Sequence, residues 1–403
     1  MLKIMKKNEN TIELYIIFLT ILGQIAIDLY LPSVHGMMGE LSMSQVIAQW
    51  TVSAYLFGYG FSQLLYGPLS DRIGRRKVIL IGIVLSLCGS IGCTFAFFPI
   101  MILIFRMVQG LGSGAASVIA RAIMRDTYTG EKLSKASSHM AMAWSLVPIL
   151  APVLGGMIER KGGWRFNFGF LMLFSLLFAI IIYFHFPETC KSVGNRKALK
   201  DIIIEYGKLF QNKKFSLNMI VLVMLFSLFS IFNVSSPFLI QEKYNLSTAQ
   251  YSVALCIISL GYLIGSYING KLIGVIKANT LTIIGVMIVF VDSVFMELFS
   301  LVSEIDQYFS IGAMFIIFIG LGLIFSNSLS ECLQPFPDIA GVASAMYGFL
   351  VFVGGGILSA LYSRYVDISD VTFFATMVLI ALVMLLSYSL LVLSQKKLDN
   401  SPV

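Results

Sequence analysis

Charge is scarce in this chain. Lys and Arg number 28 and Asp and Glu 21, so that charged residues make up only 12% of the 403. A soluble domain carries about 25%, and a water-facing surface of ordinary polarity is therefore excluded for most of the length. Histidine is rarer still, with three, and no spacing of His, Cys, Asp or Glu suits a metal. The five cysteines, Cys88, Cys93, Cys190, Cys256 and Cys332, show no pairing pattern and read as packing residues. Residues 265–271 approach a phosphate-binding loop, but Leu272 stands where Ser or Thr is needed and no strand precedes it. No hydrolase triad or ATP motif is present. Neither an enzyme nor a bound cofactor is expected, and an ion gradient is the expected energy source.

Hydrocarbon is what the chain has in excess: 58% of its residues are hydrophobic. Apolar stretches of about 20 residues, enough for roughly 30 Å of helix, recur at 12–33, 46–69, 76–96, 99–120, 136–158, 165–187, 215–240, 248–270, 278–299, 305–328, 339–362 and 371–394. Twelve spans predict an all-α, multi-pass membrane protein. The polar stretch 188–214 divides it into residues 1–187 and 215–403, each a six-helix bundle. The halves echo each other at an offset of 203, Gly58-Tyr59 with Gly261-Tyr262 and Gly67-Pro-Leu69 with Gly270-Lys-Leu272. Within the divider, Leu199, Ile202, Ile203, Tyr206, Leu209 and Phe210 share one helical face, opposite Lys200, Asp201, Glu205 and Lys208. That pattern fits an amphipathic helix on the bilayer surface; a solvated linker is the alternative.

Basic residues assign the two sides. With both termini cytoplasmic, 22 of the 28 lie inside, five outside (Arg160, Lys161, Arg165, Lys243 and Arg364), and Arg106 falls within a span. The net charge of +7 then reflects topology and anionic lipid rather than nucleic acid. The first apolar run is too long for a secretory signal core and contains Asp28, so it reads as a spanning helix.

Two ionisable residues fall within spans of the first half. Asp28 stands four to five residues before the expected end of the first span, and Arg106 six to seven residues into the fourth, at similar depth. An intramembrane carboxylate is costly and by default functional. Away from water its neutral form is favoured, whereas a nearby guanidinium favours the charged form. An Asp28–Arg106 pair whose contact changes during a cycle would bind and release a proton; a snorkelling carboxylate or a static ion pair is the structural alternative. Asp292 and Glu297, in the ninth span, carry no assigned role.

The stretch Gly67-Pro-Leu-Ser-Asp-Arg-Ile-Gly-Arg-Arg-Lys77 packs charge between two apolar runs. Gly67 and Gly74 would permit close helix approach, Arg72, Arg75 and Arg76 would pin the turn to the membrane surface, and Asp71 would face the N-terminus of the eleventh helix. A basic topogenic loop is the alternative. In the fifth span, Pro148, Pro152, Gly155 and Gly156 break and thin a helix. Polar and aromatic candidates for a substrate cavity are Tyr30, Tyr55, Tyr59, Gln109, Phe232, Asn233, Tyr262 and Asn327, although most such residues in bundles bond helix to helix.

The charged loop resembles the signature loop of the major facilitator superfamily. Asp28-Leu-Tyr-Leu-Pro32, Arg106-Met-Val-Gln-Gly-Leu-Gly112, Arg121-Ala-Ile-Met-Arg-Asp126, Trp164-Arg-Phe166 and Pro187-Glu-Thr189 resemble the Bcr/CflA-type (bicyclomycin-resistance-like) drug:proton antiporters. The named motifs lie mostly in the first half. The resemblance implies an alternating-access exporter of small amphipathic drugs in the bacterial inner membrane, driven by protons, with the substrate site between the two bundles; a monomer would suffice for that mechanism. Asp28 would bind the proton, Arg106 would tune it, and Asp71 with its basic neighbours would gate the inner side. The proline–glycine helix resembles the antiporter motif, which helps to seal the outer half of the first bundle. Export of a metabolite such as a siderophore, or proton-coupled import, are the alternatives.

Overall fold

The computed structural model describes residues 2–190 and 199–399. Lys191, Arg196 and Lys197 of the expected basic divider lie outside the described residues, as do the side chains of Leu199, Lys200, Asp201 and Ile202. The described residues form helices and no strand. The chain falls into two compact units, Met1–Lys197 and Ala198–Val403.

The first unit holds α1 (Leu2–Asp28), a 3-10 turn (Leu31–Ser33), α2 (Val34–Glu40), α3 (Gln45–Ile73), α4 (Arg75–Thr94), α5 (Pro99–Thr127), α6 (Gly130–Gly162) and α7 (Trp164–His185). The second holds α8 (Leu199–Gln211), α9 (Lys213–Ser236), a π-helical turn (Pro237–Lys243), α10 (Thr248–Leu272), α11 (Ala278–Val302), α12 (Gln307–Leu333), α13 (Ala340–Tyr365) and α14 (Asp370–Asp399). Among the described residues, eleven helical runs are long and apolar enough to cross a membrane. The remaining expected span, 46–69, is α3. It is 29 residues long, but Gln49, Thr51, Ser53, Ser62 and Gln63 dilute its apolar character, and all five are buried within the unit. The expected turn before Pro99 is present, with Pro99 at the first position of α5, where its missing N–H costs nothing.

Glycine governs how closely the helices approach. In the first unit a Cβ on Gly58 would lie 2.1 Å from the Met107 carbonyl, one on Gly110 2.1 Å from the Tyr55 carbonyl, and one on Gly112 2.2 Å from the Ser86 nitrogen. α5 thus packs backbone to backbone against α3 on one side and α4 on the other. The second unit repeats the device: Gly261 meets the Phe315 carbonyl, and Gly322 the Tyr262 carbonyl, as Gly114 meets that of Tyr59.

α8 forms at the expected place, with Leu209 buried and Ile203 and Phe210 exposed.

Candidate functional site

Asp28 is the last residue of α1, buried to 2% exposure, and its Oδ2 has no hydrogen-bond partner. One turn earlier, Gln24 is equally buried and neither of its amide atoms is partnered. Arg106, on α5, is fully buried. Its Nη1 donates to the Ala26 carbonyl at 2.9 Å and to Gln109 Oε1 at 2.7 Å, and its Nε donates to the Thr51 carbonyl at 3.2 Å. Tyr30 and Tyr55 face the guanidinium at 4.2 and 4.4 Å, a desolvated cation–π sandwich.

The expected Asp28–Arg106 contact takes a different form. No ion pair joins them among the described residues, and Asp28 Oδ2 and Arg106 Nη2 both stay unpartnered. Backbone carbonyls of α1 and α3 hold the guanidinium in place.

Several residues expected to line a cavity are committed to this packing. Tyr30 shares a hydrogen bond with Thr51 Oγ1 at 2.8 Å, Tyr55 donates to the Gly23 carbonyl at 3.1 Å, and Tyr59 bonds Ser117. Gln109 donates onward to Ser90 Oγ at 2.8 Å. Tyr30, Tyr55 and Gln109 build the wall around Arg106. In the second unit Asn327 pairs reciprocally with Asn269, its Nδ2 donating at 2.7 Å. Phe232 packs edge-on against Phe318, and Tyr262 against Phe325. Asn233 is buried and its Nδ2 is unpartnered.

The charged turn is shorter than its sequence suggests. α3 continues through Gly67 and Pro68 to Ile73, and the turn is Gly74 alone, at φ 99°. The close approach expected at Gly67 is absent, with nothing within 4 Å of a Cβ built there; Gly74 is the residue that requires glycine. Asp71 pairs with Arg75 at 2.6 Å within its own unit, and Arg75 Nε also reaches Asp126 Oδ2 at 2.9 Å. The carboxylate that caps a helix here is Glu188, which accepts from the Arg75 nitrogen at 2.9 Å and the Arg76 nitrogen at 3.2 Å at the start of α4. The Arg76 side chain donates to the Tyr183 carbonyl. Asp126 and Glu188 stood in quoted motifs without a role, and Gln24 carried only the signal of its spacing, one turn from Asp28.

Pro148 and Pro152 lie inside α6, which continues through both. A Cβ on Gly155 would lie 1.7 Å from the Leu29 carbonyl, so this glycine seats the chain that follows Asp28. Gly156 is buried beside it.

Comparison with known proteins agrees with this architecture. The sequence profile of the Major Facilitator Superfamily matches residues 16–360. The chain is 29% identical over 359 residues to Multidrug resistance protein D of Escherichia coli, covering 89% of this chain and 90% of that protein. It is 27% identical over 346 residues to the Bicyclomycin resistance protein homolog of Haemophilus influenzae, covering 85% and 86%. Among solved structures, the partially occluded, inward-open xylose transporter XylE from E. coli superimposes with a TM-score of 0.73 at 15% identity, over 94% of this chain and 96% of that one. At that identity the likeness establishes the fold.

Proposed function

The chain belongs to the Major Facilitator Superfamily and is a transporter, not an enzyme; we propose that it exports small amphipathic compounds in exchange for protons by alternating access. In this reading it lies in the bacterial cytoplasmic membrane as a monomer with both termini inside. Asp28 takes up and gives back the proton, Arg106 biases that exchange, and the Gly67–Arg76 region with Asp71, Arg72, Gly74 and Arg75 gates the cytoplasmic end. α6, through Pro148, Pro152, Gly155 and Gly156, backs the end of α1.

The observation that carries the reading is a buried carboxylate with an open oxygen near a buried guanidinium with an open nitrogen. A structural ion pair would close both, because unpaired buried charge is expensive. Groups left open are available for a proton and for a cargo. Names of relatives that speak of multidrug and bicyclomycin resistance favour a drug as cargo. The free Arg106 Nη2 favours a second reading, export of an anionic metabolite such as a siderophore.

The test is purified protein in liposomes under an imposed pH gradient, with proton flux recorded against a panel of cationic drugs and siderophores. Flux is expected with at least one compound and is lost in Asp28→Asn, which remains folded. Undiminished pH-driven transport by Asp28→Asn would overturn the coupling assignment.

A further inference from the structure

A second group of buried polar atoms lies next to Asp28. The Leu29 carbonyl, one residue on, rests against Gly155 of α6. Asn167 of α7 donates to the Gly155 carbonyl at 3.2 Å and to Ser33 Oγ at 2.5 Å. Asn167 is fully buried, yet its Oδ1 has no partner. One turn beyond Gly155, Glu159 faces Ser33 and lies against Gly36, and its Oε2 is buried without a partner. α1, α6 and α7 thus each bring an unsatisfied oxygen to the same end of the first unit. Buried polar groups are nearly always satisfied by protein or by ordered water, and a polar site with several partners is where a water binds.

We propose that Glu159, Ser33 and Asn167 hold a short water chain that carries protons between bulk water and Asp28, with Glu159 as its outer carboxylate. A hydronium ion gives its proton to the Glu159 carboxylate. Glu159 passes it to the water held by Asn167 Oδ1 and Ser33 Oγ, and that water protonates the Asp28 carboxylate, leaving Glu159 ionised again. Release runs in reverse. This proposal rests on Asp28 being the proton-binding group.

The surrounding charges leave Glu159 free for the task. Arg165 of α7 is engaged by Glu40 of α2, by the Ala96 carbonyl at 2.8 Å and by the Trp164 ring. Arg106 of α5 is held as described, and Arg160 and Lys161 on α6 and His35 on α2 form no ion pair with Glu159 among the described residues. Gly36 has only hydrogen as its side chain, which leaves room at the Glu159 carboxylate, where a Cβ would come 2.8 Å from Oε1.

The proton itself is the probe. After a rapid pH jump on the purified full-length protein, the infrared carbonyl stretch of protonated Asp28 is isolated as the difference between wild type and Asp28→Asn. Glu159→Gln is expected to slow the rise of that band about tenfold or more, in keeping with the usual worth of a placed proton-transfer group, without changing its final amplitude. Glu159→Asp should restore the rate, and Ser33→Ala, a second variant that leaves both carboxylates in place, should slow it in the same direction. A wild-type rate in Glu159→Gln or in Ser33→Ala would overturn the relay while leaving Asp28 as the coupling group. Absence of any Asp28 band would overturn the coupling assignment, and the relay with it.

Discussion

Replacing Gly110 by alanine tests how the first unit holds Arg106. The new Cβ would lie 2.1 Å from the Tyr55 carbonyl and 3.0 Å from the Tyr59 nitrogen, where ordinary contact is about 3.5 Å. Both obstacles are α3 backbone, so no change of rotamer relieves the clash, and α5 must retreat from α3 by about 1 Å or more. Arg106 is one turn away on the same helix face. Its bond to the Thr51 carbonyl is already 3.2 Å, and the retreat takes it out of hydrogen-bond range. Its bond to Gln109 lies within α5 and survives. Overpacking of this kind costs about 1–3 kcal/mol, or a fall of about 2–12 °C in Tm for a unit of this size. Transport should fall further than stability, because the guanidinium loses its register with α1 and α3.

The matched control is Gly67→Ala. Gly67 lies inside α3 with nothing within 4 Å of the new atom, and alanine is favoured over glycine in a helix by about 0.5–1 kcal/mol. Its Tm should hold or rise, although the residue belongs to the signature stretch. The assay is thermal unfolding in detergent followed by intrinsic fluorescence, with transport measured in parallel. A wild-type Tm and rate in Gly110→Ala, or an equal loss in both variants, would refute the packing argument.

Two further outcomes follow from particular contacts. Glu188→Ala removes both acceptors from the first turn of α4 and should lower stability by about 0.5–2 kcal/mol, the usual cost of a lost cap; Glu188→Gln, which keeps one acceptor oxygen, should lose less, and identical Tm values for the three proteins would contradict the capping role. Asn269→Leu or Asn327→Leu alone strands a buried amide from the reciprocal pair and should cost about 1–3 kcal/mol, whereas the double replacement should recover part of that loss; strictly additive losses in a double-mutant cycle would rule out direct coupling.

Much of the fold was legible because a bilayer-length apolar run is a strong, local signal. The turn at Pro99 and the burial of Asp28 and Arg106 followed from it. Three features were not legible, for separate physical reasons. α3 carries its polar side chains inward, where its own carbonyls, Tyr30 and Arg121 of α5 satisfy Thr51, Ser62 and Gln63, so its burial exceeds its apolarity. The Gly67–Lys77 stretch looked like a loop because charge and proline cluster there, yet a helix tolerates Pro68 and ends only where Gly74 takes a positive φ. The partners of Arg106 are mostly backbone carbonyls, which no side-chain pattern announces. Glu188 reaches the start of α4 from the far end of α7, a pairing more than a hundred residues apart.

The repeat itself bears on where coupling resides. The glycine contacts recur because both units need the same backbone approach: Gly58 and Gly114 in one, Gly261 and Gly322 in the other. The chemistry placed between those contacts does not recur. Carrying the α5 register into α12 puts Met314 where Arg106 stands and Ile317 where Gln109 stands, and the Tyr59–Ser117 bond becomes the Tyr262–Phe325 ring contact. Near the ends of α1 and α9, Asp28 precedes Pro32 by four residues and Asn233 precedes Pro237 by four. Asparagine has almost the shape of aspartate and cannot ionise. The second unit is thus a neutral copy at the position where the first holds its carboxylate, and both residues keep an unpartnered atom, Asp28 Oδ2 and Asn233 Nδ2. Loss of Asp28 therefore has no substitute at the equivalent position, which is why its replacement by asparagine, making the first unit resemble the second, is the decisive perturbation of the proposed mechanism.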